Sequence, residues 1–230
     1  MNNNRFKNHA DSDKVMENSL LCFSSFCILY TIFKKLNFTK PRVYISLINS
    51  VFLSSLSITT FNYLINSNQD QSNGRSNDRS NDQITTLITQ EPEQIWLADY
   101  AIGYFAADLF LGHVFDRKNL NILSGYIHHS VFIGLTYYVK ATNQSNIIYL
   151  LLPFEIPTAF LDITHLNKGD ILLDVSFGTS FFIFRIVYHV YIIHLISNYC
   201  LPYSVITSLL LLVHLYWFRG WLKKQFLQIL

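Results

Sequence analysis

The chain has 230 residues, half of them hydrophobic and 16% aromatic, and only 14% are charged. An average soluble domain has roughly 25% charged residues, so this composition excludes an ordinary soluble protein of this size. The formal net charge of +2, without a long basic tract, gives no reason to expect nucleic acid as a partner.

Apolar segments of about 20 residues alternate with short polar connections, as in a chain that crosses a hydrocarbon core of roughly 30 Å several times. Because lipid offers no partner to backbone amides, segments of this length must be helical. We therefore predict an all-α fold, a polytopic bundle of six to seven transmembrane helices. The predicted spans are residues 16–33, 43–65, 95–113, 120–139, 146–163, 174–196 and 203–221.

The connections complete the predicted organisation. A polar N-terminal tail (1–15) precedes the first two spans (16–65), and Lys34 and Lys35 close the first span like the flank of an uncleaved membrane segment. Residues 66–94 contain the low-complexity stretch "NSNQDQSNGRSNDRSNDQ", which buries too little apolar area to fold, so we predict a disordered loop. The core of the bundle follows at 95–221, and a short tail occupies 222–230.

Lysine and arginine in the connections predict the orientation. The connections on the side of the N-terminus carry fewer of these residues than the connections on the side of the C-terminus. We therefore expect a lumenal N-terminus and a cytoplasmic C-terminus.

Two acids lie in the third span, where an ionisable group costs at least roughly 2.5 kcal/mol on insertion scales and usually faces a bundle interior. Asp99 and Asp108 are nine residues apart, on opposite helix faces. Asp99 is close to the end of the span, which favours a solvated cap. Asp108 is deeper, near Gly103, where another helix can approach closely, and we predict an interior-facing role for it.

The fourth span contains the pair His128 and His129 within "NILSGYIHHS". Adjacent helical residues point about 100° apart, so one imidazole can react or bind while the other supports it. The sequence does not decide which histidine lines the cavity, and a hydrogen-bonded core role remains the alternative.

The fifth span contains "LLPFEIPTAFLD", in which Pro153 and Pro157 remove two backbone donors and should bend or open the helix. The carbonyls freed by this break need protein or water partners. Glu155, between the prolines, then lies in a polar pocket. The alternative is a neutral Glu155 that joins two helices by hydrogen bonds.

The sixth span places Asp174, Arg185 and His189 on one face, since eleven residues make three turns and Arg185 to His189 is an i, i+4 step. An arginine at this depth needs an anion, which Asp108, Glu155 or a lipid head group could supply. A structural ion pair between helices and a substrate contact are equally compatible with this pattern.

The spacing of potential ligands argues against metal chemistry. Membrane di-iron enzymes collect about eight histidines in HxxHH or HxxxH clusters, whereas the eight histidines of this chain are dispersed. Cys22, Cys27 and Cys200 lack CxxC spacing, so they are expected to be packing residues. We predict no metal site and no resident cofactor.

Four segments, in this order and spacing, resemble TLC-domain membrane proteins: "IGYFAADLFLG" (102–112), the His128-His129 pair, "PFEIPTAFLDI" (153–163) and "FFIFRIVYHV" (181–190). That family includes ceramide synthases, translocon-associated TRAM proteins and smaller proteins tied to membrane lipid composition. The resemblance covers roughly residues 20 to 220. It implies a helical bundle around a cavity for lipid tails, usually in the endoplasmic reticulum.

In ceramide synthases the paired histidines belong to the reactive region that transfers an acyl chain from acyl-CoA to a sphingoid amine. The resemblance therefore makes His128 and His129 catalytic candidates. Ceramide synthases follow this pair with an acidic HDxxD-type cluster, which the proline-interrupted region from Glu155 to His165 does not reproduce. Its sequence Glu155-Ile156-Pro157-Thr158 instead resembles the small TLC-domain subgroup.

The predicted function is a multi-pass protein that binds lipid or acyl chains and acts in membrane lipid homeostasis. Its lipid-binding or supporting candidates are Asp108, Glu155, Asp174, Arg185 and His189. The sequence leaves open whether the protein is an enzyme: the alternative is a ceramide-synthase-like N-acyltransferase with acyl-CoA as co-substrate, in which His128 or His129 is the base and Glu155 or Asp108 orients it. A trafficking or translocon-associated adaptor is a second alternative. The expected partners are membrane lipids, and homo-oligomer formation is left open.

Overall fold

The structure is a computed structural model that describes residues 3–72, 95–142, 144, 147–197 and 201–229. These residues form seven helices, and no strand occurs among them. The prediction of an all-α chain is therefore confirmed for the described residues.

The first four helices follow the predicted spans in order. Helix α1 is Asn3–Lys35, α2 is Pro41–Ser72 and α3 is Ile95–Phe115. Helix α4 opens with a π-helical turn, Ile122–Ile127, and continues as the α-helix His128–Ala141.

The last three helices include two that change their hydrogen-bonding pattern along their length. Helix α5 consists of Ile147–Leu151, a 3-10 turn at Leu152–Glu155, and Ile156–Leu166. Helix α6 consists of Ile171–Phe182, a π-helical turn at Ile183–Val187, and Tyr188–Ser197. Helix α7 is Leu201–Ile229.

Several helices extend beyond the predicted spans. Helix α2 continues through Ser72, so residues 66–72 are helical although they were predicted to be part of the disordered loop. A helix that is already nucleated adds further turns at little cost, which the composition of the loop does not reveal. The rest of that loop, 73–94, lies outside the described residues. Helix α1 likewise begins inside the predicted N-terminal tail, and α7 continues through most of the predicted C-terminal tail.

Three helices in the described part of the chain are long and apolar enough to cross a membrane: Ile147–Leu166, Ile171–Ser197 and Leu201–Leu227. At 1.5 Å per residue, the shortest of them, with 20 residues, spans a hydrocarbon core of roughly 30 Å. The chain is an integral membrane protein. The complete number of seven spans stays a prediction.

The contacts divide the chain into two compact units. Unit 1 comprises Met1–Ile45 and Thr86–Ile148, and unit 2 comprises Ser46–Thr85 and Tyr149–Leu230.

In unit 1, helix α3 packs against α1 and α4. Gly103 allows the close approach of α1, because a Cβ at this position would lie 2.6 Å from Cβ of Cys22 and 2.8 Å from the carbonyl oxygen of Ser19. Phe26 of α1 then meets Tyr104 of α3 edge to face, with ring centroids 5.4 Å apart. A small residue and an aromatic contact therefore fix the α1–α3 interface.

In unit 2, α6 packs against both α5 and α7. Gly178 of α6 lies directly against the indole of Trp221, and a Cβ at this position would overlap the ring. Phe218 stacks between Phe181 and Trp221, with centroid distances of 6.1 and 5.7 Å. Aromatic rings from both helices therefore fill the α6–α7 interface, and Gly178 lets the indole of Trp221 approach the backbone of α6.

Candidate functional site

Asp108, near the C-terminal end of α3, is only 5% exposed. Arg42, in the first turn of α2, donates to both carboxylate oxygens of Asp108, from Nε to Oδ1 at 2.8 Å and from Nη2 to Oδ2 at 2.9 Å. Two parallel bonds of this kind are the strongest arrangement of a guanidinium on a carboxylate. Gly112 leaves room for the guanidinium, because a Cβ there would lie 3.0 Å from Cζ of Arg42.

Arg42 remains a cation in this position. Burial favours its neutral form, but the hydrogen bonds and the charge of Asp108 outweigh burial, and the pKa of the guanidinium lies above its ordinary value. Its Nη1 also lies 3.6 Å from Oδ2 of Asp116, in the α3–α4 turn. Arg42 was predicted to lie in a connection between spans. Its pairing with Asp108 was not predicted, since 66 positions separate the two residues.

His129 is the third member of this group. Its Nδ1 lies 3.3 Å from Oδ2 of Asp108, and its ring packs on Phe105 with centroids 5.5 Å apart. The ring of His128 packs on Phe132, with centroids 4.6 Å apart. The two imidazoles diverge because adjacent helical residues point about 100° apart. We refer to Arg42, Asp108 and His129 as the Asp108 cluster.

A π-helical turn, Ile122–Ile127, ends directly before His128. Such a turn contains one extra residue, changes the directions of the side chains that follow, and is frequent at functional sites. Gly125 lies within it, and the side chain of Leu120 fills the space of the missing Cβ, with Cγ 2.8 Å from that position. A regular helix was predicted over residues 120–139, and the π-helical turn at Ile122–Ile127 was not predicted.

The arrangement of the Asp108 cluster suits proton transfer or polar recognition. The contact between Asp108 and Nδ1 of His129 is electrostatic, and Nδ1 and Nε2 are the two imidazole atoms that can give or take a proton. The guanidinium of Arg42 fixes the position of the carboxylate by two hydrogen bonds. The cluster can therefore orient a histidine base, or present the imidazole to the polar head of a lipid.

Asp99, at the other end of α3, is not the solvated cap that we predicted. It is 1% exposed and forms an ion pair with Lys140 in the last turn of α4. Helix α1 adds two donors, Oγ of Ser19 at 3.1 Å and Nδ2 of Asn18 at 3.4 Å. The prediction was wrong because the four-carbon stem of Lys140 carries its ammonium to the acid. The distance of a residue from a span end does not reveal such a contact.

In unit 2, Pro153 and Pro157 interrupt α5. Pro153 lies in the 3-10 turn, and Pro157 lies in the first turn of the α-helix that follows. Pro157 has no backbone N–H and cannot donate to the carbonyl of Pro153. The backbone N–H of Ile156 donates to that carbonyl. The helix was predicted to bend or open at the two prolines, and the structure has a short 3-10 segment there, which is tighter than the α-helix.

Helix α6 supplies partners to carbonyls near this break. The hydroxyl of Tyr188 donates to the carbonyl of Leu150 at 3.1 Å, and Nε of Arg185 donates to the carbonyl of Phe154 at 3.0 Å. Nη2 of Arg185 also donates to Oγ1 of Thr158 at 2.6 Å. These two bonds of Arg185 go to a carbonyl and a hydroxyl, and the anion that we expect beside it stays a prediction.

His189 lies one turn after Arg185 and is fully buried. Its Nδ1 lies 3.1 Å from Nδ1 of His214 on α7, and its ring packs on Phe154 with centroids 4.6 Å apart. One nitrogen must donate and the other accept, so at least one of the two imidazoles is neutral. His189 was predicted to be a site residue. Its contact with His214 was not predicted, because 25 positions separate the two residues.

Asp174 does not share the surroundings of Arg185. It accepts hydrogen bonds from Gln225 at 2.6 Å and Lys224 at 3.2 Å, at the end of α7. The bonds of Arg185 described above go to α5 instead. The π-helical turn at 183–187 has more residues per turn than an α-helix, so a count at 100° per residue misplaces His189 relative to the start of α6.

The predicted site residues therefore divide between the units. Unit 1 holds Asp108, His128 and His129, while unit 2 holds Glu155, Asp174, Arg185 and His189. Glu155 is half-buried at the end of the 3-10 turn of α5. Among the described residues, no group of three or more His, Cys, Asp or Glu is arranged to hold a metal ion.

A family model for the TLC domain (TRAM/LAG1/CLN8) matches residues 42–223, well over half of the chain. Searches of curated proteins and of solved structures gave no match. The matched region includes the whole Asp108 cluster and the proline-interrupted helix α5. The chain therefore belongs to the TLC-domain family of membrane proteins.

Proposed function

We propose that this TLC-domain protein binds a lipid or acyl chain in a polar-lined cavity of its helical bundle and acts in membrane lipid homeostasis. The observation that carries the proposal is the Asp108 cluster, three ionisable side chains held together in an apolar chain. Ionisable groups at membrane depth are costly and usually mark a ligand or ion pathway. Arg42 holds Asp108 in place by two hydrogen bonds, and Asp108 in turn lies beside the imidazole of His129.

The proposal includes the placement of the protein in the cell. Seven spans, a lumenal N-terminus and a cytoplasmic C-terminus follow from the apolar segments and from the distribution of Lys and Arg. Family membership favours the endoplasmic reticulum, where much lipid synthesis takes place.

Mass spectrometry of lipids that co-purify with the full chain tests the binding role. We expect the wild-type protein to retain a lipid in roughly stoichiometric amount, and His129→Ala and Asp108→Asn to lower the retained amount severalfold. His194→Ala is the matched control, because His194 is an exposed histidine outside the Asp108 cluster. Equal retention by all variants would show that the cluster plays no part in binding.

A second candidate function is supported by the 3.3 Å contact between Asp108 and His129. In an N-acyltransferase, the nitrogen of a sphingoid amine attacks the thioester carbonyl of acyl-CoA, and the carbon–sulfur bond breaks. Nε2 of His129 would accept the proton released by the amine and return it to the departing thiolate, giving an amide and free coenzyme A. Asp108 would stabilise the imidazolium formed in between.

Incubation of the purified protein with a long-chain acyl-CoA and a sphingoid base separates the two functions. If the protein is an acyltransferase, His129→Ala lowers amide formation by about 10²–10⁴-fold, the usual contribution of a general base, while His194→Ala leaves it unchanged. A smaller effect of His128→Ala would agree with its packing on Phe132. Retained lipid without turnover in the wild-type protein would exclude this second function and leave the first intact.

A further inference from the structure

One end of unit 1 carries several exposed cations. Lys34 and Lys35 end helix α1, and Arg117 and Lys118 lie in the turn between α3 and α4. All four side chains are exposed. We refer to these four residues as the basic rim.

Contacts within unit 1 bring the two parts of the basic rim to the same end. Nζ of Lys34 lies 4.8 Å from the centre of the Phe115 ring at the end of α3. The ring of Tyr30, one turn earlier in α1, stacks on the same phenylalanine with centroids 5.0 Å apart. Arg42, at the start of α2, faces Asp116 in the α3–α4 turn. The α1–α2 turn and the α3–α4 turn therefore form one surface.

The acids at this end are already engaged. Both oxygens of Asp108 accept from Arg42, and Asp116 has Arg42 near one oxygen and Nδ2 of Asn119 at 2.6 Å from the other. In the described part of the chain, no carboxylate forms an ion pair with a residue of the basic rim. The rim therefore carries four positive charges that form no ion pair with a carboxylate of the described residues.

An apolar side chain lies beside these charges. Leu36, directly after Lys35, is 63% exposed, and Phe38 in the same turn is 36% exposed. An exposed leucine among lysines gains nothing from a soluble phosphate, but it is stabilised when it enters the acyl region below a layer of charged head groups. The combination points to a membrane surface and not to a free anion.

We propose that the basic rim binds the phosphate-bearing head groups of anionic phospholipids. Clusters of four or more Lys and Arg next to a membrane helix attract such lipids. Lys35, Arg117 and Lys118 supply the charge, Lys34 adds to it from its place on Phe115, and Leu36 inserts between the lipids. This inference goes beyond the function proposed above and does not depend on it, because the rim residues are separate from Asp108 and His129.

The test uses the full chain in nanodiscs of phosphatidylcholine with a minority of phosphatidylserine, and native mass spectrometry counts the lipids that stay bound. The rim variant is Lys35→Gln/Arg117→Gln/Lys118→Gln. The matched control, Lys168→Gln/Arg219→Gln/Lys223→Gln, removes two lysines and one arginine from unit 2 that are also exposed and form no ion pair among the described residues.

We expect the wild-type protein to enrich phosphatidylserine among its bound lipids. The rim variant should reduce that enrichment at least about fivefold, because a single basic residue near an anionic surface contributes roughly this factor. The control should keep most of it. Raising the salt concentration should lower the enrichment of the wild-type protein, since exposed charges are screened. The salt series needs no variant, so it does not depend on how well a variant folds.

Four results would overturn the proposal. The first is a wild-type protein without preference for phosphatidylserine, and the second is an equal loss in the rim variant and the control. The third is displacement of the bound phosphatidylserine by free coenzyme A, which would identify the surface as a site for a soluble phosphate compound. Unchanged enrichment in the rim variant would equally exclude the rim as the binding surface.

Discussion

Asp99 and Lys140 are both almost fully buried, so neither charge is solvated by water if the other is removed. We expect Asp99→Asn to lower the free energy of unfolding by about 3–5 kcal/mol, because it leaves the ammonium of Lys140 buried beside a neutral amide. Thermal unfolding of the purified protein in detergent measures this loss. Lys35→Gln, which changes an exposed lysine without an ion pair, is the control and should have little effect.

The double variant Asp99→Asn/Lys140→Gln sharpens this test. It removes both charges, so part of the loss caused by the single substitution should be recovered. Strictly additive losses would mean that the two residues do not stabilise each other.

Arg42 provides a second test at the level of single residues, because its two parallel bonds depend on the shape of the guanidinium. Arg42→Lys keeps the charge but makes only one such contact, and we expect it to destabilise by about 1–2 kcal/mol. Arg42→Gln removes the charge as well and should cost more. The same unfolding assay compares them, and a lysine variant as stable as the wild type would show that the paired geometry is unimportant.

At the level of helices, Gly103 decides how closely α1 and α3 pack. A methyl group at this position would lie 2.8 Å from a carbonyl oxygen and 3.0 Å from a backbone nitrogen of α1, and neither can move independently of the helix. Gly103→Ala should therefore destabilise by about 1–3 kcal/mol, although alanine is the better helix former. Gly134→Ala in α4 is the control, because nothing lies within 4 Å of its Cβ position, and it should be neutral or slightly stabilising. A neutral Gly103→Ala would show that α1 is not in close contact with α3.

The α5–α6 interface can be tested through two threonines of the same helix. Oγ1 of Thr158 accepts from Arg185 of α6, whereas Oγ1 of Thr164 donates to the carbonyl of Phe160 in its own helix. Thr158→Ala leaves a buried guanidinium donor without this partner and should cost about 1–3 kcal/mol. Thr164→Ala should change stability little, since the bond that it removes stays within one helix. Equal effects of the two substitutions would contradict a role of Thr158 in joining the helices.

Helix positions could be predicted better than helix ends and helix types. Each apolar segment predicted a helix, because the absence of water around it leaves the backbone no other partners. The π-helical turns in α4 and α6 were not predicted, since one inserted residue does not visibly change the length or composition of a hydrophobic segment. Their position matters for the site, because one of them directly precedes His128.

For the whole molecule, an odd number of spans places the two termini on opposite sides of the membrane. Seven spans with a cytoplasmic C-terminus predict that a protease added to sealed microsomes removes a tag from the C-terminus and leaves an N-terminal tag intact. A tag in residues 73–94 should also be protected, because two spans separate this segment from the N-terminus. Removal of both terminal tags would mean an even number of spans and would exclude the proposed topology.

The sequence by itself determined the membrane class, the helical fold and the resemblance to TLC-domain proteins, because each of these depends on apolar segments and short motifs within one part of the chain. It also selected Asp108, His128, His129 and Arg185 as ionisable residues at unusual positions. Only the tertiary structure decided their partners: Arg42 for Asp108, Lys140 for Asp99 and His214 for His189. The members of each pair lie on different helices, between 25 and 66 positions apart in the chain. Whether two such side chains meet depends on how the helices pack and how far each side chain reaches, and no local pattern of residues contains that information.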